Sequence, residues 1–263
     1  MSTRMIVAES SEFHSPGPGD FDFPPLFGEG TFFTKPILII VLGTIAVGAF
    51  FYFAARRSTL VPGRLQFSGE AVYGFIRDGV ARDTIGREGI KYVPYLVTLF
   101  GFIAVLNISG IIPVLQLPAT SKIAIPLVLA IISWVIYNYV GIKRQGFGGY
   151  FKNMMFPPGV PKAIYPLLAP LEFFSTFLVR PVTLTLRLTF NMFAGHLVLL
   201  LTILGGEYLL FEYQGVAGIA AGSLSILFSI VLTFFEAFVQ LLQAYVFVLL
   251  SAIYIGGALT HEH

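Results

Sequence analysis

Ionisable side chains occur inside two long apolar stretches in the C-terminal half of this 263-residue sequence. They are Glu172, Arg180, Arg187, His196 and Glu236. A charge at the centre of a bilayer costs about 3 kcal/mol on insertion scales, so such groups need partners or a hydrated path. Glu172 and Arg180 lie near the end of a stretch, where a long side chain can reach water. The other three lie deeper and are the stronger candidates for function.

The last apolar stretch carries a line of polar residues at helical spacing. Six residues lie four, four, three, four and three positions apart and share one helix face: Ser225, Ser229, Thr233, Glu236, Gln240 and Gln243. Serine and threonine alone could supply hydrogen bonds between helices. A carboxylate and two amides in the same line favour a hydrated path for a proton or another ion.

Helix geometry brings further polar groups towards this line. Arg187 shares a face with Asn191, while His196 points about 180° away from Arg187. If Gln243 and Arg187 lie at similar depth in antiparallel helices, Glu236 lies about 10 Å and His196 about 13 Å further out. The sequence thus predicts that His196 and Glu236 can meet. A carboxylate beside an imidazole is a chemically suitable proton relay, because both groups gain and lose protons near neutral pH.

Arg187 itself cannot relay protons, because a guanidinium is effectively always protonated in a protein. A permanent cation favours the ionised form of a nearby carboxylate, so it would make a mobile carboxylate release its proton on arrival. The chain offers no such mobile group of its own. This points to a partner protein that carries one.

The composition places these residues in a membrane. Apolar residues make up 56% of the chain and charged residues only 11%, against about a quarter in soluble domains. We predict an all-α integral membrane protein with one membrane domain over 36–263 and a surface amphipathic helix at about 67–85. The five predicted crossings are about 36–55, 92–112, 123–142, 164–204 and 215–257. The last two, about 40 residues each, are interpreted as single long helices.

The distribution of basic residues predicts the orientation. Eleven would lie on one side of the membrane: Arg56, Arg57, Arg64, Arg77, Arg82, Arg87, Lys91, Lys143, Arg144, Lys152 and Lys162. Only Arg4, Lys35 and Lys122 would lie on the other. The N-terminus is therefore predicted outside, with 1–35 as an extracytoplasmic arm, and the C-terminus inside. The segment 143–162 is predicted as a loop on the inner side, and the acidic segment 207–212 as a loop on the outer side.

Two motifs carry a resemblance to a known family. One runs from Arg180-Pro181 through Leu186-Arg187 to Gly195-His196, and the other from Glu236 through Gln243 to Tyr254. They closely resemble the last two helices of subunit a of bacterial F-type ATP synthases. The resemblance covers most of the chain from about residue 36, including Asn107-Ile108-Ser109-Gly110.

The resemblance implies a role for each candidate residue. Arg187 would be a stator arginine facing a c-ring of small hairpin subunits, whose mid-membrane carboxylates carry protons between two offset half-channels. The long helices would form a tilted hairpin along that ring. Some family members carry the acid on the first of these helices and the imidazole on the second, an order that is exchanged here. The proton path would comprise Asn191, His196, Glu236, Gln240, Gln243, Tyr254 and Glu172. Glu172 resembles an inner half-channel glutamate but is displaced by about one residue relative to Arg187.

The expected partners follow from the same resemblance. They are the c-ring, the peripheral stalk b subunits, the remaining ATP synthase subunits, membrane lipids and protons. We expect a bacterial plasma membrane protein that conducts protons without catalysis of its own, and neither a cofactor nor a metal. A formal charge of +2 gives no reason to expect nucleic acid.

Two other classes remain as alternatives. A self-contained secondary transporter or channel would be expected to show internal repeats and paired broken helices, and we find no convincing repeat. A non-conducting scaffold subunit would leave Arg187, His196 and Glu236 as an unexplained cost. A soluble-type enzyme is the weakest alternative, because the sequence has no phosphate-binding glycine loop and its four histidines lack metal-ligand spacing.

Overall fold

The computed structural model describes residues 17, 34–56, 61–112, 118–156, 164–213 and 215–259. Most of these residues are helical, and there is no β-strand among them. The α-helices are α1 (Lys35–Arg56), α2 (Arg64–Ile76), α3 (Asp83–Ile85), α4 (Val93–Ile108), α5 (Ala124–Gln145), α6 (Phe147–Met155), α7 (Tyr165–Phe174), α8 (Arg180–Phe211) and α9 (Val216–Leu259). Two π-helical turns, Arg77–Arg82 and Ser175–Val179, join α2 to α3 and α7 to α8. Shorter 3₁₀ segments, Arg87–Tyr92 and Ala119–Ser121, precede α4 and α5.

Five helical segments are long and apolar enough to cross a membrane, which confirms the predicted all-α membrane architecture. They are Lys35–Arg56, Arg87–Ile108, Ala124–Gln145, Tyr165–Phe211 and Val216–Leu259. The last two have 47 and 44 residues, so the prediction of two long C-terminal helices is also confirmed. The tilt of these helices in the membrane stays a prediction.

Two segments predicted as loops contain helix. In the segment 143–162, α5 continues to Gln145 and α6 follows after Gly146, whose positive φ of 75° separates the two helices. Helix α6 forms because Phe147, Tyr150 and Phe151 recur at helical spacing and turn aromatic rings towards one another. The predicted outer loop 207–212 is helical as far as Phe211, because nothing in its sequence breaks α8 earlier.

The predicted surface helix is present as α2, the π-helical turn Arg77–Arg82 and α3. Its buried side includes Ile76, Val80 and Ala81, and its exposed side carries ion pairs from Asp78 to Arg77 and Arg82. The hydrogen bond from Arg77 lowers the pKa of the Asp78 carboxyl. Its position at the membrane surface stays a prediction, as does the extracytoplasmic arm 1–35, which lies almost entirely outside the described residues.

The core forms where α4 and α5 pack against the C-terminal pair α8 and α9. Leu184, Leu188 and Met192 of α8 meet Ala244 and Phe247 of α9 within this core. Near the turn that joins the pair, the backbones approach closely: a Cβ atom on Gly222 would lie 2.8 Å from the carbonyl oxygen of Gly206. Small residues permit this kind of close helix contact in membranes. The packing therefore fixes which residues of α8 face which residues of α9.

Candidate functional site

The polar line of α9 is turned into the protein. Glu236, Gln240 and Gln243 are buried, as is Ser229. The opposite side of the helix is exposed and apolar, with Leu224, Leu227, Phe228, Val231, Phe234, Phe235 and Phe238. Burying the polar side against α8 while presenting apolar residues outward is the arrangement expected for a membrane helix that lines an internal polar path.

Polar groups of α8 meet this line at two levels. The Asn191 amide donates to Oε1 of Gln243 at 2.6 Å. Nearer the turn, Nδ1 of His196 lies 3.9 Å from Oε1 of Glu236, as the sequence predicted for this pair, and Gln240 donates to the same oxygen at 3.1 Å. We refer to these five residues as the His196 cluster. The depth of Gln243, which was only assumed to match that of Arg187, instead matches that of Asn191, about one helical turn from Arg187.

The His196 cluster contains polar atoms that the protein itself leaves unsatisfied. Oε2 of Glu236, Oε1 of Gln240 and Nε2 of Gln243 are buried and have no hydrogen-bond partner in the described part of the chain. Beside them is a cavity of about 230 Å³, lined in part by Asn191, Glu236 and Gln240. Water takes about 30 Å³ per molecule, so the cavity has room for several waters next to Glu236 and Gln240.

A third helix, α4, contacts the His196 cluster through Asn107. Asn107, at the end of α4, is fully buried and donates to the backbone oxygen of Gln240 at 3.0 Å. Its side-chain oxygen accepts from the Thr120 hydroxyl at 2.6 Å. Both polar ends of the amide are therefore used, which fixes α9 relative to the segment before α5.

Arg187 differs in its surroundings from the four buried residues of the His196 cluster, which are His196, Glu236, Gln240 and Gln243. Its side chain is on the exposed face of α8, near Thr183 and Phe190, which are also exposed. Over the ranges that the structure describes, it makes no hydrogen bond, ion pair or aromatic contact. A permanent cation in a membrane-crossing helix needs a partner. Among the described residues, none supplies one on this face.

A second cluster lies on the other side of Arg187 along the chain. Nη2 of Arg180 is 3.5 Å from Oε1 of Glu172, with both side chains about one-third exposed. The Arg180 guanidinium also lies over the Tyr254 ring, 5.1 Å from its centre. We call Glu172, Arg180 and Tyr254 the Arg180 cluster. The predicted path residues thus fall into two groups, and Tyr254 joins the Arg180 cluster.

Some members of this arrangement were not found by sequence reasoning. Asn107 was noted only as part of a motif, and Tyr137, whose hydroxyl donates to the Thr176 backbone at 2.7 Å, was not singled out. A polar residue inside a predicted crossing was the available signal for both. As for metals, the structure has no group of three histidine, aspartate or glutamate side chains that could hold an ion within its described segments.

The fold and the site together define a multi-pass helical membrane protein with buried polar residues between its last two helices and an exposed arginine that has no partner within the described segments. Comparison with known proteins gives the family. The family described as ATP synthase A chain matches residues 37–256. The chain belongs to this family.

Relatives of similar length carry the name ATP synthase subunit a. One from Nocardioides sp. is 49% identical, over 98% of this chain and 97% of the relative. One from Streptomyces lividans is 48% identical, over 99% and 93%. One from Rhodococcus erythropolis is 42% identical, over 100% and 96%.

Proposed function

We propose that this chain is the proton-translocating stator subunit in the membrane sector of a rotary ATP synthase. The observation that carries the proposal is the position of Arg187. It is exposed and without an ionic partner in the described part of the chain, and it lies along α8 between the His196 cluster and the Arg180 cluster. A rotor carboxylate moving past this face would meet a permanent cation that favours its ionised form.

The His196 cluster supports one half-channel. Protons would pass by way of the His196 and Glu236 side chains and water to the level of Asn191 and Gln243. Every one of these groups either titrates or both donates and accepts hydrogen bonds. Arg187 is the next charged residue along α8, and it blocks further passage because its guanidinium does not release a proton.

The Arg180 cluster supports the second half-channel. Glu172 is the titratable carboxyl of this cluster and would take protons released on the inner side. In the sequence, Glu172 is displaced by about one residue, relative to Arg187, from the family glutamate that it resembles. A π-helical turn accommodates one more residue than an α-helical turn, and Ser175–Val179 lies between Glu172 and Arg187. This turn is the local structure that a one-residue displacement requires.

The partners and orientation follow from the same proposal. The exposed face of α8 would contact a c-ring, and other surfaces would contact the peripheral stalk b subunits and lipid. The distribution of basic residues supports an orientation with the N-terminus outside and the C-terminus in the cytoplasm of a bacterial plasma membrane. Each proton moving down the potential would release about 2.3 kcal/mol per 100 mV for rotation.

The test is ATP-driven proton pumping in membrane vesicles that carry Arg187→Ala, with assembly of the complex verified by recovery of all subunits. We expect pumping and ATP synthesis to be lost in an assembled complex. Arg64→Ala is the matched control, since Arg64 is an exposed arginine of α2, and it should pump normally. Normal coupled pumping by Arg187→Ala would overturn the proposal and favour a self-contained transporter.

A further inference from the structure

The chain between Glu172 and Arg180 contains a turn that is not α-helical. Residues Ser175–Val179 form a π-helical turn, and the Arg180 amide donates to the Ser175 oxygen five residues earlier. Single π-turns inside α-helices are uncommon and are frequent at functional sites. Two questions follow for this turn: which residues stabilise it, and how it changes the orientation of Glu172.

Pro181 supplies part of the cause. In the π pattern, the Thr176 oxygen would accept from the amide of residue 181, but proline has no amide hydrogen. The next candidate, the Arg180 amide, already donates to the Ser175 oxygen. An unpaired backbone oxygen inside a membrane-crossing segment costs several kcal/mol. The helix itself has no donor to offer to this oxygen.

Tyr137 of α5 supplies the missing donor. Its hydroxyl donates to the Thr176 oxygen at 2.7 Å, and its side chain is only 1% exposed. Its ring also packs edge-on against the ring of Tyr254, with 5.6 Å between centroids. Tyr137 thus contacts both the π-turn and the aromatic ring that lies under Arg180.

The consequence concerns the direction in which Glu172 points. Eight residues separate it from Arg180, which in an unbroken α-helix would turn the two side chains about 80° apart. A π-turn absorbs one residue, so the pair behaves as if seven residues apart, which reduces the angle to about 20°. The observed contact of 3.5 Å between Glu172 and Arg180 agrees with this alignment.

We propose that Tyr137 is a positioning residue for Glu172: its hydroxyl holds the π-turn at Thr176 and thereby keeps Glu172 on the same helix face as Arg180. The inference rests on the proposed function, in which Glu172 handles protons in the second half-channel. Tyr137 itself transfers no proton in this mechanism. Its effect on pumping passes through Glu172.

The experiment compares ATP-driven proton pumping, per assembled complex, for a set of variants. Tyr137→Phe removes the hydroxyl but keeps the ring, and it should slow pumping by about fivefold, the effect of one lost hydrogen bond. Glu172→Gln should slow pumping at least as much. Tyr95→Phe removes another partly buried hydroxyl, which bonds to Ser133, and should leave pumping unchanged.

Two double variants separate positioning from general stability. Tyr137→Phe should cause no further loss in a Glu172→Gln background, because its effect passes through that carboxyl. In a Pro181→Ala background, the new amide can donate to Thr176, so Tyr137→Phe should lose much less activity. If Tyr137 only contributed to packing, Tyr137→Phe would cause a further loss in the Glu172→Gln background, and Pro181→Ala would not reduce its effect.

The outcomes distinguish the positioning role of Tyr137 from the role of Glu172 in the proton path. Wild-type pumping by Tyr137→Phe, or an equal loss in the Glu172→Gln background, overturns the positioning role alone. Wild-type pumping by Glu172→Gln removes this carboxyl from the proton path, and the positioning role with it. Neither result affects the test of Arg187, which addresses the proposed function itself.

Discussion

The side chains of Asn191 and Gln243 join the two long helices through a hydrogen bond of 2.6 Å from the asparagine amide to the glutamine oxygen. The bond lies one helical turn beyond Arg187 and marks the inner end of the His196 cluster. In the proposed function, this is the level at which the proton path between α8 and α9 would approach Arg187. Its loss should therefore affect transport more than folding.

Gln243→Leu should reduce ATP-driven proton pumping by about tenfold, because it removes both polar atoms that face Asn191 and leaves an apolar break in the path. The measurement is pumping in vesicles at equal amounts of assembled complex. Gln66→Leu, in α2, removes the same amide outside the membrane-crossing helices and should pump normally. Undiminished pumping by Gln243→Leu would remove this residue from the path.

Exchanging His196 and Glu236 should preserve part of the activity. Because Nδ1 of His196 and Oε1 of Glu236 are only 3.9 Å apart, His196→Glu with Glu236→His keeps one imidazole and one carboxylate in the same space. We expect each single substitution to pump much less than the double variant. A double variant no better than either single one would show that the pair does not act as a unit. Initial rates of pumping over a series of pH values are the measurement.

Gly256→Ala should destabilise the protein, whereas the neighbouring Gly257→Ala should not. A Cβ atom on Gly256 would lie 2.7 Å from the backbone oxygen of Thr84, while one on Gly257 would meet nothing within 4 Å. Overpacking of this kind costs about 1–3 kcal/mol. Thermal unfolding of the two purified complexes in detergent measures the difference. Equal midpoints for the two variants would contradict the close packing of α9 against α3.

Asn107→Leu should destabilise the His196 cluster, because it removes the contact from α4 to Gln240 of α9. It leaves the Thr120 hydroxyl without a partner, at a cost of about 1–3 kcal/mol, and it removes the side-chain bond to the Gln240 oxygen, which then keeps only the backbone bond of its own helix. Asn153→Leu, which changes an exposed asparagine of α6, is the control. We expect a lower thermal midpoint and slower pumping for Asn107→Leu alone. A midpoint equal to that of the control would show that Asn107 does not hold α9 in place.

The sequence by itself determined the five membrane crossings, the single long final helix and the polar line along it. These depend on hydrophobic length and helical period, which are properties of consecutive residues. It also identified Arg187, His196 and Glu236, because ionisable groups inside apolar stretches are conspicuous whatever their neighbours are. The sequence did not predict α6, because paired glycines and basic residues, which are typical of loops, occur together with its aromatic residues at helical spacing.

Apart from the pair of His196 and Glu236, only the tertiary structure decided which residues meet. The relative depth of α8 and α9 depends on close contact between Gly206 and Gly222, which are distant in sequence, and this contact places Gln243 opposite Asn191. The π-turn likewise depends on a hydroxyl from α5 reaching Thr176 of another helix. Local sequence can show that Pro181 leaves an oxygen without a donor. It cannot show that Tyr137 is the residue that supplies one, because this depends on how separate helices pack.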